Sequence, residues 1–166
     1  YASAEELIAD LDVIADSLRA NHGLALTRPR LDTLRRAADI FGFHLATLDM
    51  RQSSDVHERV LGELFSVAGV AVDYANLSEE EKVQLLMEEL AQPRLLRSPY
   101  LSYSDETVSE LGVLKAARLI RDSFGERAIR NYIISHTETV SDLLEVFLLQ
   151  REAGLMHVGQ NGKAPD

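Results

Sequence analysis

Phe43-His44-Leu45-Ala46-Thr47-Leu48-Asp49-Met50-Arg51 carries no helical stripe and is bounded by Gly42 on one side and the polar pair Ser53-Ser54 on the other. The pattern predicts a strand over 43–51. Alternation places Thr47, Asp49 and Arg51 on one side and Ala46, Leu48 and Met50 on the other, so one side turns polar towards its C-terminal end. Ser54 or Asp55 can then cap a helix whose Val60, Leu61, Leu64, Phe65 and Ala68 share a side before Gly69. A second run, Asn131-Tyr132-Ile133-Ile134-Ser135, is β-branched and aromatic. After His136-Thr137-Glu138 it leads into a helix from about Val140 to Glu152, closed by Gly154. Strand, loop and helix thus occur twice with no hairpin turn between the strands, which predicts parallel pairing through right-handed crossovers. The expected class is α/β, predominantly helical, with two short parallel strands and about six helices.

The remaining helices are read from caps and stripes. Ser3 with Glu6 forms a capping box before Leu7, Leu11, Ile14 and Leu18, and Asn21-His22-Gly23 stops that helix. After Pro29 come Leu31, Leu34, Ala38 and Phe41, ended by Gly42 in a left-handed position. Ser78 with Glu81 opens a helix through Val83, Leu86, Met87 and Leu90 that Pro93 forbids from continuing. Ser104, Asp105 and Glu106 start a long helix through Val108, Leu111, Leu114 and Ala117, stopping near Gly125. Pro93 to Tyr103 is a polar, kinked loop.

A chain of 166 residues is long enough to bury a core. With 46% hydrophobic and 27% charged residues it lies away from the disordered class. Lys+Arg of 17 against Asp+Glu of 27 gives a net charge of −10, which repels phosphate backbones and anionic lipid, so neither nucleic acid nor membrane is expected as a partner. The absence of Cys suits a reducing compartment, and a cytoplasmic location is expected. No apolar run approaches the ~20 residues of a membrane span, and Tyr1-Ala2-Ser3-Ala4-Glu5-Glu6 lacks the features of an export signal. The first residue is not Met, and Gly159 to Asp166 reads as linker, so both ends are expected to be cut from something longer.

Arg51, as the last residue of the expected strand, stands where parallel α/β proteins gather their ligands. A planar guanidinium grips a phosphate or carboxylate through two parallel hydrogen bonds, and the following helix N-terminus adds partial positive charge. The bland alternative is a surface ion pair with Asp55 or Glu58, and pattern alone leaves both readings open.

The run Phe41-Gly42-Phe43-His44-Leu45-Ala46-Thr47-Leu48-Asp49-Met50-Arg51-Gln52-Ser53-Ser54-Asp55-Val56-His57-Glu58 is very similar to a signature stretch of phosphoenolpyruvate carboxylases. The resemblance continues through Asp73-Tyr74, Glu89-Leu90, Pro99, Tyr132 to Ser135, Ser141 to Val146 and Arg151 to Gly154. The first helices match more loosely, and residues from Met156 onward fall outside it. It implies that 1–158 are an internal segment of a barrel domain, a slab of a (β/α)8 TIM-type barrel, followed by a linker-like tail over 159–166. It also implies a lyase that joins phosphoenolpyruvate and bicarbonate into oxaloacetate and phosphate, with Mg2+ or Mn2+, in a large cytoplasmic homotetramer.

By the same resemblance Arg51 binds the phosphoryl group of phosphoenolpyruvate at the end of a barrel strand, while Asp49, Gln52 and His57 brace Arg51 and its loop. The family's catalytic His lies upstream, and its metal carboxylates, bicarbonate-side Lys and Arg and glycine-rich loop lie downstream. No catalytic group and no metal ligand is therefore expected in this segment, and the segment alone is expected to be inactive. Arg94 falls near a basic position of the family, but Pro93-Arg94-Leu95 departs from the common Arg-Pro order and no role carries over. Tyr103-Ser104-Asp105 echoes a downstream motif, yet a helix start explains it better.

The other candidates have plain explanations. The five His residues lack metal-ligand spacing, Glu79-Glu80-Glu81 and Glu88-Glu89 read as helix-terminal charge and a solvated face, and Asp142 and Glu145 read as capping residues. The competing function from another class is an autonomous helical binding or scaffold domain without catalysis.

Overall fold

A computed structural model describes residues 1–156, so the expected tail at 159–166, and His157, lie outside the described residues. Six helices of ten residues or more and two strands follow in the order α1 (Ala4–Ala20), α2 (Asp32–Phe41), β1 (Leu48–Ser53), α3 (Ser54–Ala68), α4 (Glu79–Leu90), α5 (Asp105–Phe124), β2 (Ile129–Ser135) and α6 (Val140–Ala153). β1 and β2 form a two-stranded parallel sheet. Side-chain partners advance together along the two strands, Asp49 with Asn131 and then Arg51 with Ser135, as parallel pairing requires. The α-rich α/β class and the parallel pair agree with the sequence reading.

The chain divides into two compact units, one of Tyr1–Asp49 with Ile120–Asn131, the other of Met50–Leu119 with the chain from Tyr132 onward. In the first, α1 and α2 pack together around Leu11, Ala15 and Ala38. Ser3 caps α1 by accepting from the Glu6 N–H, and the Glu6 carboxylate accepts from the Ala2 N–H. Ile14, expected on the buried stripe, is half exposed; Ala15 takes the inner position. The stop after α1 is made by His22 at φ 61°, whereas Gly23 keeps a negative φ. Helical backbone also begins earlier than Pro29: Leu24–Leu26 and a wide turn over Thr27–Leu31 precede α2, with the buried Thr27 hydroxyl donating to the Leu24 carbonyl at 2.9 Å. Wide turns accommodate the missing proline N–H without a break.

The second unit holds the larger core: Val60, Leu61, Leu64 and Phe65 of α3, Tyr74, Leu86, Leu96, Leu111, Leu114, Leu148 and Leu149 form one cluster. α6 packs against both α3 and α4. Met50 of β1 and Tyr132 of β2 pack onto this cluster. Caps match expectation at Ser78 with Glu81, and at Ser104, whose hydroxyl accepts from the Thr107 N–H. α3 and α6 end at Gly69 and Gly154, both in the left-handed region with φ 70° and 73°.

Several acidic side chains that read as surface charge or caps are structural. Glu145 is not a cap; it is buried at 1% exposure and accepts from the Tyr74 hydroxyl at 2.9 Å. Asp142 does cap α6, accepting from the Glu138 and Thr139 N–H groups. Glu89 is buried and paired with Arg94 at 2.7 Å, and Glu79 receives both the N–H and the hydroxyl of Ser141. Arg151 is buried beneath the end of α4, where it donates to the Glu89 carbonyl, which also accepts the Gln92 N–H, and to the carbonyl of Gln92 just past the helix.

Burial pushes the Glu145 carboxyl up to about 8 from its ordinary 4.5, more than the Tyr74 hydrogen bond can offset. Below about pH 4.5 the group is protonated in the folded and unfolded chain alike. Between there and pH 8 only the unfolded chain ionises, so stability falls as pH rises, by on the order of a few kcal/mol. Glu145→Gln keeps an acceptor for Tyr74 and removes the charge, so its stability relative to wild type should improve steadily from pH 5 to pH 8 in urea titrations. A difference that does not vary with pH would show that Glu145 ionises normally.

Candidate functional site

β1 covers 48–53, not 43–51. Phe43 to Ala46 form turns and bends, Leu45 is 85% exposed, and the strand begins at Leu48 and runs on through Gln52 and Ser53. Arg51 therefore lies two residues before the strand end. Its partner comes from the other strand: the Arg51 Nε–H donates to the Ser135 Oγ at 3.2 Å. The alternative, a surface ion pair, is absent among the described residues, where Asp55 is held by Arg59 at 2.9 Å and Glu58 by Lys82. Arg51 is exposed and carries no carboxylate partner among the described residues, which leaves its terminal nitrogens available.

α3 starts immediately beyond. Ser53 takes its N-cap position, in place of the anticipated Ser54 or Asp55, but makes no side-chain cap. Its hydroxyl donates instead to the Asp55 carboxylate and lies 3.3 Å from the His136 Nδ1. The N-cap side chain of α3 thus leaves the first-turn N–H groups uncapped, unlike those of α1 and α4. Ser54, buried, sends its hydroxyl to the His136 carbonyl at 2.8 Å. His136 itself has φ 57°, a left-handed backbone that non-glycine residues seldom adopt. Asp55 has its carboxyl held down at about 2 by hydrogen bonds from Ser53 and Arg59, so it remains an anion at neutral pH.

The other expected residues occupy defined places. Asp49 accepts from the Asn131 side-chain amide at 2.9 Å. Gln52 folds back so that its side-chain oxygen accepts the Ser53 N–H. His57 is buried on the first turn of α3, with Nε2 2.8 Å from the Tyr132 hydroxyl. Burial lowers the His57 pKa, keeping the ring neutral, and pushes the Tyr132 phenol up to about 12. Ser135, Tyr132 and His136 read from sequence only as strand and turn. The signal that could have singled out Ser135 is the parallel register, which sets the two strand ends side by side.

Together these groups offer one exposed, uncompensated guanidinium and a helix N-terminus free of side-chain caps, an arrangement suited to a small anion. Among the described residues no group of three or more His, Asp or Glu is placed to hold a metal ion, so they offer no cage for a divalent cation. A cleft of about 430 Å³ lined by Arg121, Glu126, Arg127 and Arg130 contains none of the expected site residues. No helix of the described residues is long and apolar enough to cross a membrane.

The family described as "Phosphoenolpyruvate carboxylase" matches residues 1–164. The match runs past Met156, where the motif-level resemblance was expected to stop. Relatives named phosphoenolpyruvate carboxylase include one from Burkholderia mallei (strain SAVP1), 62% identical over 155 residues and 93% of this chain. Those from Burkholderia vietnamiensis (strain G4 / LMG 22486) and Paraburkholderia xenovorans (strain LB400) are each 58% identical over the whole chain. The chain spans 16–17% of the length of these relatives. At that identity over that coverage, the chain belongs to the phosphoenolpyruvate carboxylase family.

Proposed function

We propose that this chain is an internal slab of the (β/α)8 barrel of a full-length phosphoenolpyruvate carboxylase. In this reading Arg51 holds the phosphoryl group of phosphoenolpyruvate, which reacts with bicarbonate to give oxaloacetate and phosphate. The observation that carries it is the family match over nearly the whole chain, with Arg51 exposed and free of any carboxylate partner among the described residues. As the phosphoryl group moves to bicarbonate, negative charge shifts among its oxygens and those of the enolate. A fixed cation that already faces those oxygens stabilises that charge without reorganising. In this reading Arg51 acts on phosphoryl charge and takes no part in proton transfer.

Asp49, Gln52 and His57 support the site indirectly. Asp49 ties β1 to Asn131, Gln52 shapes the last residue of the strand, and the neutral His57 ring fixes the first turn of α3 against Tyr132. The divalent metal, Mg2+ or Mn2+, supplies Lewis-acid activation of the substrates and is held by residues outside this segment. The whole protein works in the cytoplasm as a homotetramer.

The test is direct. Full-length protein supplied with phosphoenolpyruvate, bicarbonate and Mg2+ should form oxaloacetate and inorganic phosphate in equal amounts, and chelating the metal should remove at least about 99% of the rate, as expected for loss of a Lewis acid worth several kcal/mol. The 166-residue segment alone should form neither product. A full-length protein that binds phosphoenolpyruvate without turning it over would favour the binding or scaffold reading instead.

A further inference from the structure

Building on the reading of Arg51 as the phosphoryl-binding side chain, we propose that Ser135 is the positioning residue that aims its guanidinium. The Nε–H to Ser135 Oγ contact, 3.2 Å, is the hydrogen bond that anchors the Arg51 side chain among the described residues. A guanidinium carries five N–H donors in one plane, one on Nε and four on the terminal nitrogens. Committing Nε to Ser135 fixes the rotation of that plane and turns away the edge that would grip an anion through Nε. What remains is the end-on fork of the two terminal nitrogens, the edge that meets two oxygens of a phosphoryl group in parallel. Without the Ser135 hydroxyl an exposed arginine samples many rotamers and must surrender that freedom each time it binds.

Ser135 is itself held. It is the last residue of β2, and the next residue, His136, turns the chain at φ 57°. The His136 carbonyl accepts from Ser54 Oγ at 2.8 Å, and its Nδ1 lies 3.3 Å from Ser53 Oγ. Two contacts therefore tie the turn after β2 to the start of α3 and hold the Ser135 backbone beside β1. Ser135 is half-buried while Arg51 is exposed, so the anchor sits beneath the cation it directs.

The experiment is a double-mutant cycle in the full-length protein, read by steady-state kinetics with phosphoenolpyruvate varied. Ser135→Ala should lower kcat/KM about 10-fold, the size of one hydrogen bond to a charged group, mainly through KM for phosphoenolpyruvate and with KM for bicarbonate unchanged. Ser135→Cys, which keeps the volume but offers a weak acceptor, should show a similar loss, and Ser135→Thr should restore most of it. Lysine has no Nε–H to anchor, so Ser135→Ala in an Arg51→Lys background should cost nothing further. Losses that simply add in the two backgrounds would assign Ser135 to the fold and overturn the proposal. Ser135 variants matching wild type while Arg51→Lys is impaired would also overturn it and leave the role of Arg51 intact. Arg51→Lys matching wild type would remove the phosphoryl-binding reading itself, and this inference with it.

Discussion

Arg51→Ala in the full-length protein is expected to lower kcat/KM for phosphoenolpyruvate by about 10²–10³-fold, the loss that follows removal of one preorganised donor to a developing oxyanion in other enzymes. The melting temperature should stay close to that of wild type. Arg51 is exposed and makes one side-chain hydrogen bond of 3.2 Å, and substitutions of such residues usually change stability by less than about 0.5 kcal/mol. Two effects can be told apart by the kinetic constants. If Arg51 held substrate and transition state equally, the whole loss would fall on KM; a charge that builds during phosphoryl transfer places part of it on kcat. Initial rates at saturating bicarbonate, over a wide range of phosphoenolpyruvate concentration, measure both. Kinetics unchanged from wild type would take Arg51 out of the site, whatever the family.

The helical frame was legible because its signals are local. Ser3, Ser78 and Ser104 announce the starts of α1, α4 and α5, and Gly69, Gly125 and Gly154 take the positive φ that ends α3, α5 and α6, all within a turn of the helix concerned. The strand boundary was harder. Phe43 to Thr47 alternate as a strand would, but among the described residues β1 has β2 as its one partner, and Leu45 is 85% exposed.

Least legible were the buried polar pairs. Glu145 finds Tyr74 at a separation of 71 residues, and Arg151 reaches the Glu89 carbonyl across 62. Nothing in the residues around Glu145 separates a helix cap from a core acid; only the packing of α6 on α4 and α3 decides it. The site divides in the same way. Arg51 stands out through the resemblance carried by its own stretch, 41–58, whereas Ser135 is 84 residues away and meets it only through the parallel register.

The largest loss of stability should come from Phe65→Ala, about 3–5 kcal/mol. Phe65 is fully buried in the main cluster, flanked along α3 by Leu61 and Leu64, which are also at 0% exposure. Its ring lies 5.0 Å from that of Tyr74 at an interplanar angle of 58°, a tilted pair worth about 0.5–1.5 kcal/mol beyond the area buried. Truncation leaves a cavity with rigid walls, since the Tyr74 hydroxyl is tied to Glu145 and the ring cannot move far to fill it. The Phe65 carbonyl also receives the Val70 N–H beyond Gly69, but that bond belongs to the backbone and survives the substitution. The expected loss is thus one of packing, and it should lower the urea midpoint of the 166-residue chain without changing the slope of the transition. Set against the 5–15 kcal/mol total of an ordinary domain, it would remove a large share of the stability of the unit that carries Arg51. Phe65→Leu, which refills most of the volume, should recover more than half of the loss. A midpoint that Phe65→Ala leaves in place would mean that the helices, and not this cluster, hold the unit together.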